Sequence, residues 1–282
     1  MMSVIKLAIL APGAMGAAVA RRLVDHGVDV LTLLDGRSEV TRARAHAAGM
    51  RAAPIAEIAQ AELILSIVPP AEAVTLAQHM APILQTHSFK GAYVDCNAIN
   101  PASMSEVAQF MTQAGIACVD ASIIGLPPRE GYDGPTFFAA GEATAQFARL
   151  SERGLKIHVL DGPIGSASAL KMCYGGITKG LIAVGAAMML AATRSGADRA
   201  LFEEMSRSQS NLLTGYSKSI PDMFGKAARW IAEMEQIAEF LGPDRAESEV
   251  FRSFADFYRR LGSDHGAAGK EIAQLESFFK GG

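Results

Sequence analysis

Val4-Ile5-Lys6-Leu7-Ala8-Ile9-Leu10-Ala11-Pro12-Gly13-Ala14-Met15-Gly16 is an apolar run that breaks at a proline and two glycines, then resumes with helical periodicity. Residues 4–10 read as a buried strand, 14–26 as a helix closed by Gly27, and 29–34 as a second strand. Together they form a βαβ unit. In a dinucleotide-binding turn the first glycine makes the bend, the second lets the backbone approach a pyrophosphate, and the third packs helix on strand. Ala11 stands at the first of these positions, and Gly13 and Gly16 follow. Such a turn alone is equally an ordinary strand-to-helix connection. Its place between first strand and first helix, with a second strand on schedule, points to nucleotide binding at the helix N-terminus.

Outward from this unit the alternation continues. Residues 39–48 read as a helix, 63–68 as a strand, 71–84 as a helix entered through Pro69-Pro70, 93–96 as a strand, 103–114 as a helix and 116–119 as a strand. Strands separated by helical patterns predict an α/β, doubly wound, mostly parallel sheet of the Rossmann kind. Beyond residue 160 only helical patterns follow, at 166–192, 197–207, 227–240 and 246–261. The expected organisation is a Rossmann domain over residues 1–161 and an all-α domain over 162–282, the latter serving substrate binding and dimerisation. Gly175-Gly176, Gly180 and Gly185 lie in the first long helix among alanines and methionines, which predicts close helix approach. Gly281-Gly282 reads as a frayed end.

At 282 residues, half of them hydrophobic, the chain can bury one large core or two smaller ones. A net charge of −3 without blocks of like charge gives no reason to expect nucleic acid or an anionic membrane as partner. Cys96, Cys118 and Cys173 are odd in number and lack Cys-x-x-Cys spacing, which predicts reduced thiols and a cytoplasmic protein. The N-terminal apolar stretch is interrupted by Pro12, Gly13 and Gly16 and followed by Arg21-Arg22, unlike a secretory signal. Residues 177–192 fall short of a bilayer span and carry Lys179, so a buried helix is the better reading. The six histidines show no metal-ligand spacing, and no metal is expected. There is no Gly-x-Ser-x-Gly elbow or Walker loop.

Cofactor choice is set at the end of the second strand. Asp35 suits the ribose hydroxyls of NAD, whereas Arg37 and Ser38, with Arg42 and Arg44 nearby, suit the 2′-phosphate of NADP. NADP is favoured and NAD stays open. Lys171, just past Gly165 at the start of the apolar helix, is the main catalytic candidate. A lysine in apolar surroundings can hold a neutral amine that takes a hydroxyl proton as a C–H bond breaks. The plain alternative is that it snorkels to solvent or pairs with a carboxylate. Arg129, in the turn-rich stretch 126–135, is either a clamp for a substrate carboxylate or a solvated loop residue. Trp230 with Met223, Phe224 and Met234 reads as helical core or dimer contact before a pocket roof.

The turn at residues 13–16, Val68-Pro69, Asp95-Cys96-Asn97, Asp120-Ala121-Ser122 with Gly125, and Gly165 leading to Lys171 resemble, in order, the β-hydroxyacid dehydrogenase superfamily, which includes 6-phosphogluconate and 3-hydroxyisobutyrate dehydrogenases. The likeness runs from about Val4 to Met189. Around Arg229-Trp230 the chain is similar to a branch whose C-terminal domain has no assigned function. The resemblance implies a Rossmann domain, a helical domain that often builds a homodimer, and a cleft between them. It also implies Lys171 as catalytic lysine, Asn97 reaching nicotinamide and substrate, and Val68-Pro69 lining the cofactor together with Gly13, Ala14, Met15 and Gly16.

Departures accompany these matches. Ile124 and Leu126 replace a serine and a glycine of the usual substrate loop, with Ser122 and Gly125 left as substrate contacts. Gly175 replaces an asparagine one turn beyond the lysine, for which Tyr174 is the substitute. The lysine-aspartate pair of a later helix is absent, Glu233-Met234 being nearest. The expected activity is NADP-preferring hydride transfer on a small hydroxy acid or its keto or semialdehyde partner. The alternatives are an imine reductase of the same superfamily and a non-catalytic NADP-binding sensor or scaffold.

Overall fold

The computed structural model describes residues 5–266 and 269–280; Val4 and the Gly281-Gly282 end lie outside the described residues. The chain divides into two compact units, the first ending at Lys171 and the second beginning at Met172. The sequence reading set this division ten residues earlier. Residues 162–171 go with the first unit because Gly165, Ala167, Ser168 and Lys171 all hydrogen-bond to its sheet.

Strands β1 (Lys6–Leu10), β2 (Asp29–Thr32), β3 (Arg51–Ala52), β4 (Leu63–Ser66), β5 (Ala92–Asp95), β6 (Ala117–Ile124), β7 (Thr136–Ala140) and β8 (Lys156–Val159) form one sheet in the order β3-β2-β1-β4-β5-β6-β7-β8. All neighbours are parallel except β6 and β7. The order reverses between β1 and β4, so a crevice opens at the carboxyl ends of these strands.

Helices α1 (Ala14–Asp25), α2 (Glu39–Ala47), α3 (Ile55–Ile58), α4 (Ala73–Thr86), α5 (Pro101–Gln113) and α6 (Thr144–Ala148) cover both faces. Leu7, Ile9, Leu65 and Val94 pack under α1 with Val19 and Leu23. The alternate residues Ala8, Leu10, Ile64 and Tyr93 pack under α4 and α5 with Met80, Leu84, Met104 and Val107. Burial on both faces is why these strands read as continuous apolar runs.

The apolar pattern ends the strand read at residues 116–119 there, but β6 runs to Ile124 because β7 pairs with it, Ser122 opposite Phe138 and Ile124 opposite Thr136. The short β3 and the exposed edge strand β8, Lys-Ile-His-Val, carry too little apolar patterning to be read locally.

Helix α7 (Ser166–Ser195) begins in the first unit and continues into the second. There α8 (Asp198–Ser208), α9 (Ser210–Phe224), α10 (Ala227–Leu241), α11 (Ala246–Gly266) and α12 (Lys270–Lys280) follow. Helix α9 went unread because Gly215 and Pro221 interrupt its sequence. Although α7 is long and apolar enough to cross a membrane, one face is packed by its own unit. A Cβ at Gly176 would stand 3.3 Å from the Phe251 ring, and one at Gly185 only 2.6 Å from Tyr216. Trp230, Met223, Phe224 and Met234 are all buried in this core. Trp230 meets Tyr258 edge-on and lies under the Lys179 ammonium, which is paired with Glu233.

Candidate cofactor and proton-relay site

The turn after β1 carries out the three glycine roles with two glycines. Ala11 itself adopts φ 62°, the left-handed conformation a glycine takes without strain. The Gly13 amide donates to the Ala11 carbonyl at 2.8 Å and closes the bend. A Cβ at Gly16 would lie 3.1 Å from the Ala11 carbonyl oxygen and 3.4 Å from Ile9, so Gly16 lets α1 lie against β1. Around Gly13 a Cβ would meet nothing within 4 Å. Ala14 is exposed and Met15 half-buried, and α1 has no side-chain cap, which leaves its first amides facing outward. Open space over uncapped helix amides fits a pyrophosphate.

At the end of β2, Gly36 takes φ 70° and Ser38 caps α2 by accepting the Thr41 amide. Asp35 and Arg37 are exposed. Arg42 donates to the Arg37 carbonyl, and Arg44 donates to the Pro12 carbonyl at 3.4 Å, so α2 brings cations to the glycine turn. Beside them a cavity of about 420 Å³ is lined by Leu33, Ile55, Leu76, Met80 and His79 with residues 35–37. An apolar slot beside a polar turn fits an adenosine end.

Asn97, at the end of β5, is buried with its amide committed internally. It donates to Ser66 Oγ and to Asp95 Oδ2, each at 2.8 Å, and accepts from the Val68 amide at 2.7 Å. Its backbone amide donates to Asp95 Oδ1. Asn97 therefore braces the half-buried Val68 and the exposed Pro69 against β4 and β5. Only the second lone pair of its amide oxygen remains for a ligand. Asp95 is fully buried, and desolvation pushes its carboxyl up to about 7 against the bonds from Asn97, with Asp120 on the adjacent strand adding repulsion.

Asp120, also without exposure, gathers the start of α7. Its Oδ2 accepts the amides of Gly165, Ala167 and Ser168 at 2.9 to 3.1 Å, and its Oδ1 accepts Ser168 Oγ at 2.7 Å. Burial raises this carboxyl while these donors hold it down. One turn beyond Ser168, the half-buried Lys171 donates from Nζ to the Ile123 carbonyl at 2.7 Å, near the carboxyl end of β6.

The other expected substrate residues are placed differently. Ser122 is completely buried, and its Oγ has no hydrogen-bond partner among the described residues. Gly125 has φ 127° and is exposed, with the Tyr132 hydroxyl 2.9 Å from where a Cβ would stand. Arg129 is exposed and exchanges backbone bonds with Tyr132, while Asp133 ties the loop to Arg22 and Lys156. Tyr174 is 49% exposed on the second unit's part of α7. Near Gly175, Lys179 Nζ comes within 3.6 Å of a Cβ position, filling space an asparagine would need. Sequence reasoning gave Asp95 and Asp120 no role of their own. The signal was present, since an acid inside a continuous apolar strand is rare unless bonded.

A switch-point crevice, a glycine turn with open space over uncapped helix amides and an apolar slot beside it are the features of a dinucleotide-binding protein. Residues 6–153 match the family described as the NAD binding domain of 6-phosphogluconate dehydrogenase, and residues 192–261 match a domain of unknown function, DUF1932. The chain belongs to the 6-phosphogluconate dehydrogenase NAD-binding superfamily, 3-hydroxyacid dehydrogenase-like, in a branch with a C-terminal DUF1932 helical domain. It is thus a member of a superfamily of NAD(P)-dependent dehydrogenases. It is similar to an uncharacterised 28.5 kDa protein in the 7S RNA 5′ region of Methanothermus fervidus, 25% identical over 76% of this chain and 82% of that one. Conserved protein MTH1747, of unknown function and structurally similar to 3-hydroxyacid dehydrogenases, is 26% identical with a TM-score of 0.74 over 92% of this chain and 99% of that one. Mycobacterium tuberculosis 3-hydroxyisobutyrate dehydrogenase, solved with L-serine, shares the fold at a TM-score of 0.75 and 18% identity over 98% and 99% of the two chains.

Two outcomes follow. Because Gly13 has open space and a backbone any residue adopts, Gly13→Ala should fold with unchanged stability yet bind NADPH about tenfold or more weakly by fluorescence titration; unchanged affinity would remove the pyrophosphate from this turn. For Asp95, a folded value of about 7 above an unfolded value of 3.8 means the native state holds more protons between those limits. Its contribution to stability therefore falls as pH rises from about 4 to about 7. Urea unfolding at pH 5 and pH 8 should show this loss in wild type and less of it in Asp95→Asn.

Proposed function

We propose that the protein transfers hydride between NADP(H) and a small hydroxy acid or its keto or semialdehyde partner, with Lys171 as proton relay. The observation that carries this reading is the Lys171 ammonium, hydrogen-bonded to the Ile123 carbonyl near the carboxyl end of β6, in a sheet whose carboxyl edge also bears the glycine turn and Val68. Gly13, Ala14, Met15 and Gly16 would hold the pyrophosphate, and Asp35, Arg37 and Ser38 the adenosine ribose, beside a slot fit for adenine. Arg37, Arg42 and Arg44 favour a 2′-phosphate over a bare hydroxyl, because three cations outnumber the two carboxylates nearby, Asp35 and Glu39, the latter paired with Arg42. Val68, Pro69 and Asn97 would line the nicotinamide end.

A nicotinamide held by these residues would supply the hydride-transfer chemistry. As the neutral amine, Lys171 Nζ would take the hydroxyl proton in oxidation, and as the ammonium it would give a proton to the carbonyl oxygen in reduction. Arg129, exposed in the loop after β6, offers its guanidinium to a substrate carboxylate. Ser122 is too deeply buried to meet a substrate in this conformation.

The partner we propose is a second copy of the chain. On α7, Tyr174, Ile177, Leu181, Val184 and Met188 are 46 to 66% exposed and fall at alternating three- and four-residue intervals. That spacing makes an uncharged helix seam of the kind that packs against an identical helix. The three free cysteines, with Cys173 exposed, suit a reducing cytoplasm.

NADPH and NADH titrations followed by a panel of hydroxy acids, sugar acids and imines test the activity. Lys171→Ala should retain NADPH binding and lose about a hundredfold or more in kcat; equal turnover by mutant and wild type would end the relay role. Leu181→Glu together with Val184→Asp should convert a dimer into a monomer in sedimentation velocity, and a monomeric wild type would refute the seam.

A further inference from the structure

Two bonds of identical sequence separation join β6 to α7. Asp120 holds Ser168, and Ile123 holds Lys171, each 48 residues apart. Three residues of strand advance about 10 Å, whereas three residues of helix advance about 4.5 Å. The shortfall of about 5 Å is within reach of the lysine's four-carbon arm, so the Nζ position depends on where α7 starts and how it is rotated. Asp120 fixes both. One of its oxygens takes three amides of the chain entering α7, and the other takes the Ser168 hydroxyl. A slip of one residue would turn the helix by roughly 100° and carry Lys171 off the face toward β6.

We infer that Asp120 is the positioning residue of Lys171, pinning the phase of α7 so that the ammonium sits at the end of β6. This inference rests on the relay role given to Lys171 for its effect on turnover, but not for its effect on the lysine itself. The groups facing Asp120 are Ser168 and the amides of α7 from one side and Asp95 across the strand pair. Asp95 braces Asn97 and Val68, so the two buried acids hold separate parts of one edge: one the cofactor loop, the other the proton-relay helix.

The test uses the full-length protein in two variants, Asp120→Asn, which keeps one acceptor oxygen, and Ser168→Ala, which removes only the hydroxyl bond. Lys171 acetylation by acetic anhydride is followed across pH by mass spectrometry, beside NADPH titration and the pH profile of kcat. In Asp120→Asn, Lys171 should label faster than in wild type and kcat should fall about a hundredfold with an altered pH profile, while NADPH affinity is retained. Ser168→Ala should move both readouts the same way by less. A folded Asp120→Asn protein with wild-type labelling of Lys171 overturns the inference, whatever its turnover. Should Asp120→Asn fail to fold, wild-type labelling in Ser168→Ala overturns it equally. Should Lys171→Ala prove fully active, the relay role fails, and the labelling rates still decide whether Asp120 positions the lysine.

Discussion

A carboxylate buried in a parallel sheet would be costly if its charge met no donors. Asp120 meets four, three of them amides at the start of a helix 30 residues long, where the helix dipole also favours negative charge. The desolvation of the acid and the orphan amides of the helix are thus satisfied by one arrangement. The start of α7 is tied to β6 by this arrangement, within the same unit as Lys171.

Next to it in register stand Asp95 and Ser66, so that a row of polar side chains crosses β4, β5 and β6 near their carboxyl ends. Asn97 converts this row into a support for Val68 by filling both amide hydrogens and an oxygen lone pair. Bonds from a rigid strand edge hold Val68 while leaving Pro69 exposed. The turn after β1 follows the same logic with a strained residue, since Ala11 keeps a left-handed backbone that the helix packing at Gly16 demands.

In the second unit, glycine decides the packing. Gly176 and Gly180 let Phe251 and Phe254 close on one side of α7, and on another side a methyl group at Gly185 would overlap the Tyr216 ring. Tyr174, Ile177, Leu181, Val184 and Met188 lie on the side of α7 that stays exposed. The buried side of the same helix also carries Met172, Met189 and Leu190 into the core.

Local patterning alone determined the βαβ opening, the parallel sheet and the helical second half, because strands buried on both faces and amphipathic helices write their periods into the chain. It also brought out Gly13, Gly16, Asp35, Arg37 and Lys171 as residues to watch, whereas Val68 and Asn97 stood out only through the resemblance to the superfamily. The extension of β6 through Ser122 and Ile124 could not be read, since it depends on pairing with β7 across a turn-rich loop. Nor could the burial of Ser122 or the commitment of Asn97 to internal bonds. The phase of α7 was decided only by tertiary structure, because a helix's rotation about its own axis is set by what its first turn is bonded to. Here that is an aspartate 45 to 48 residues earlier in the chain.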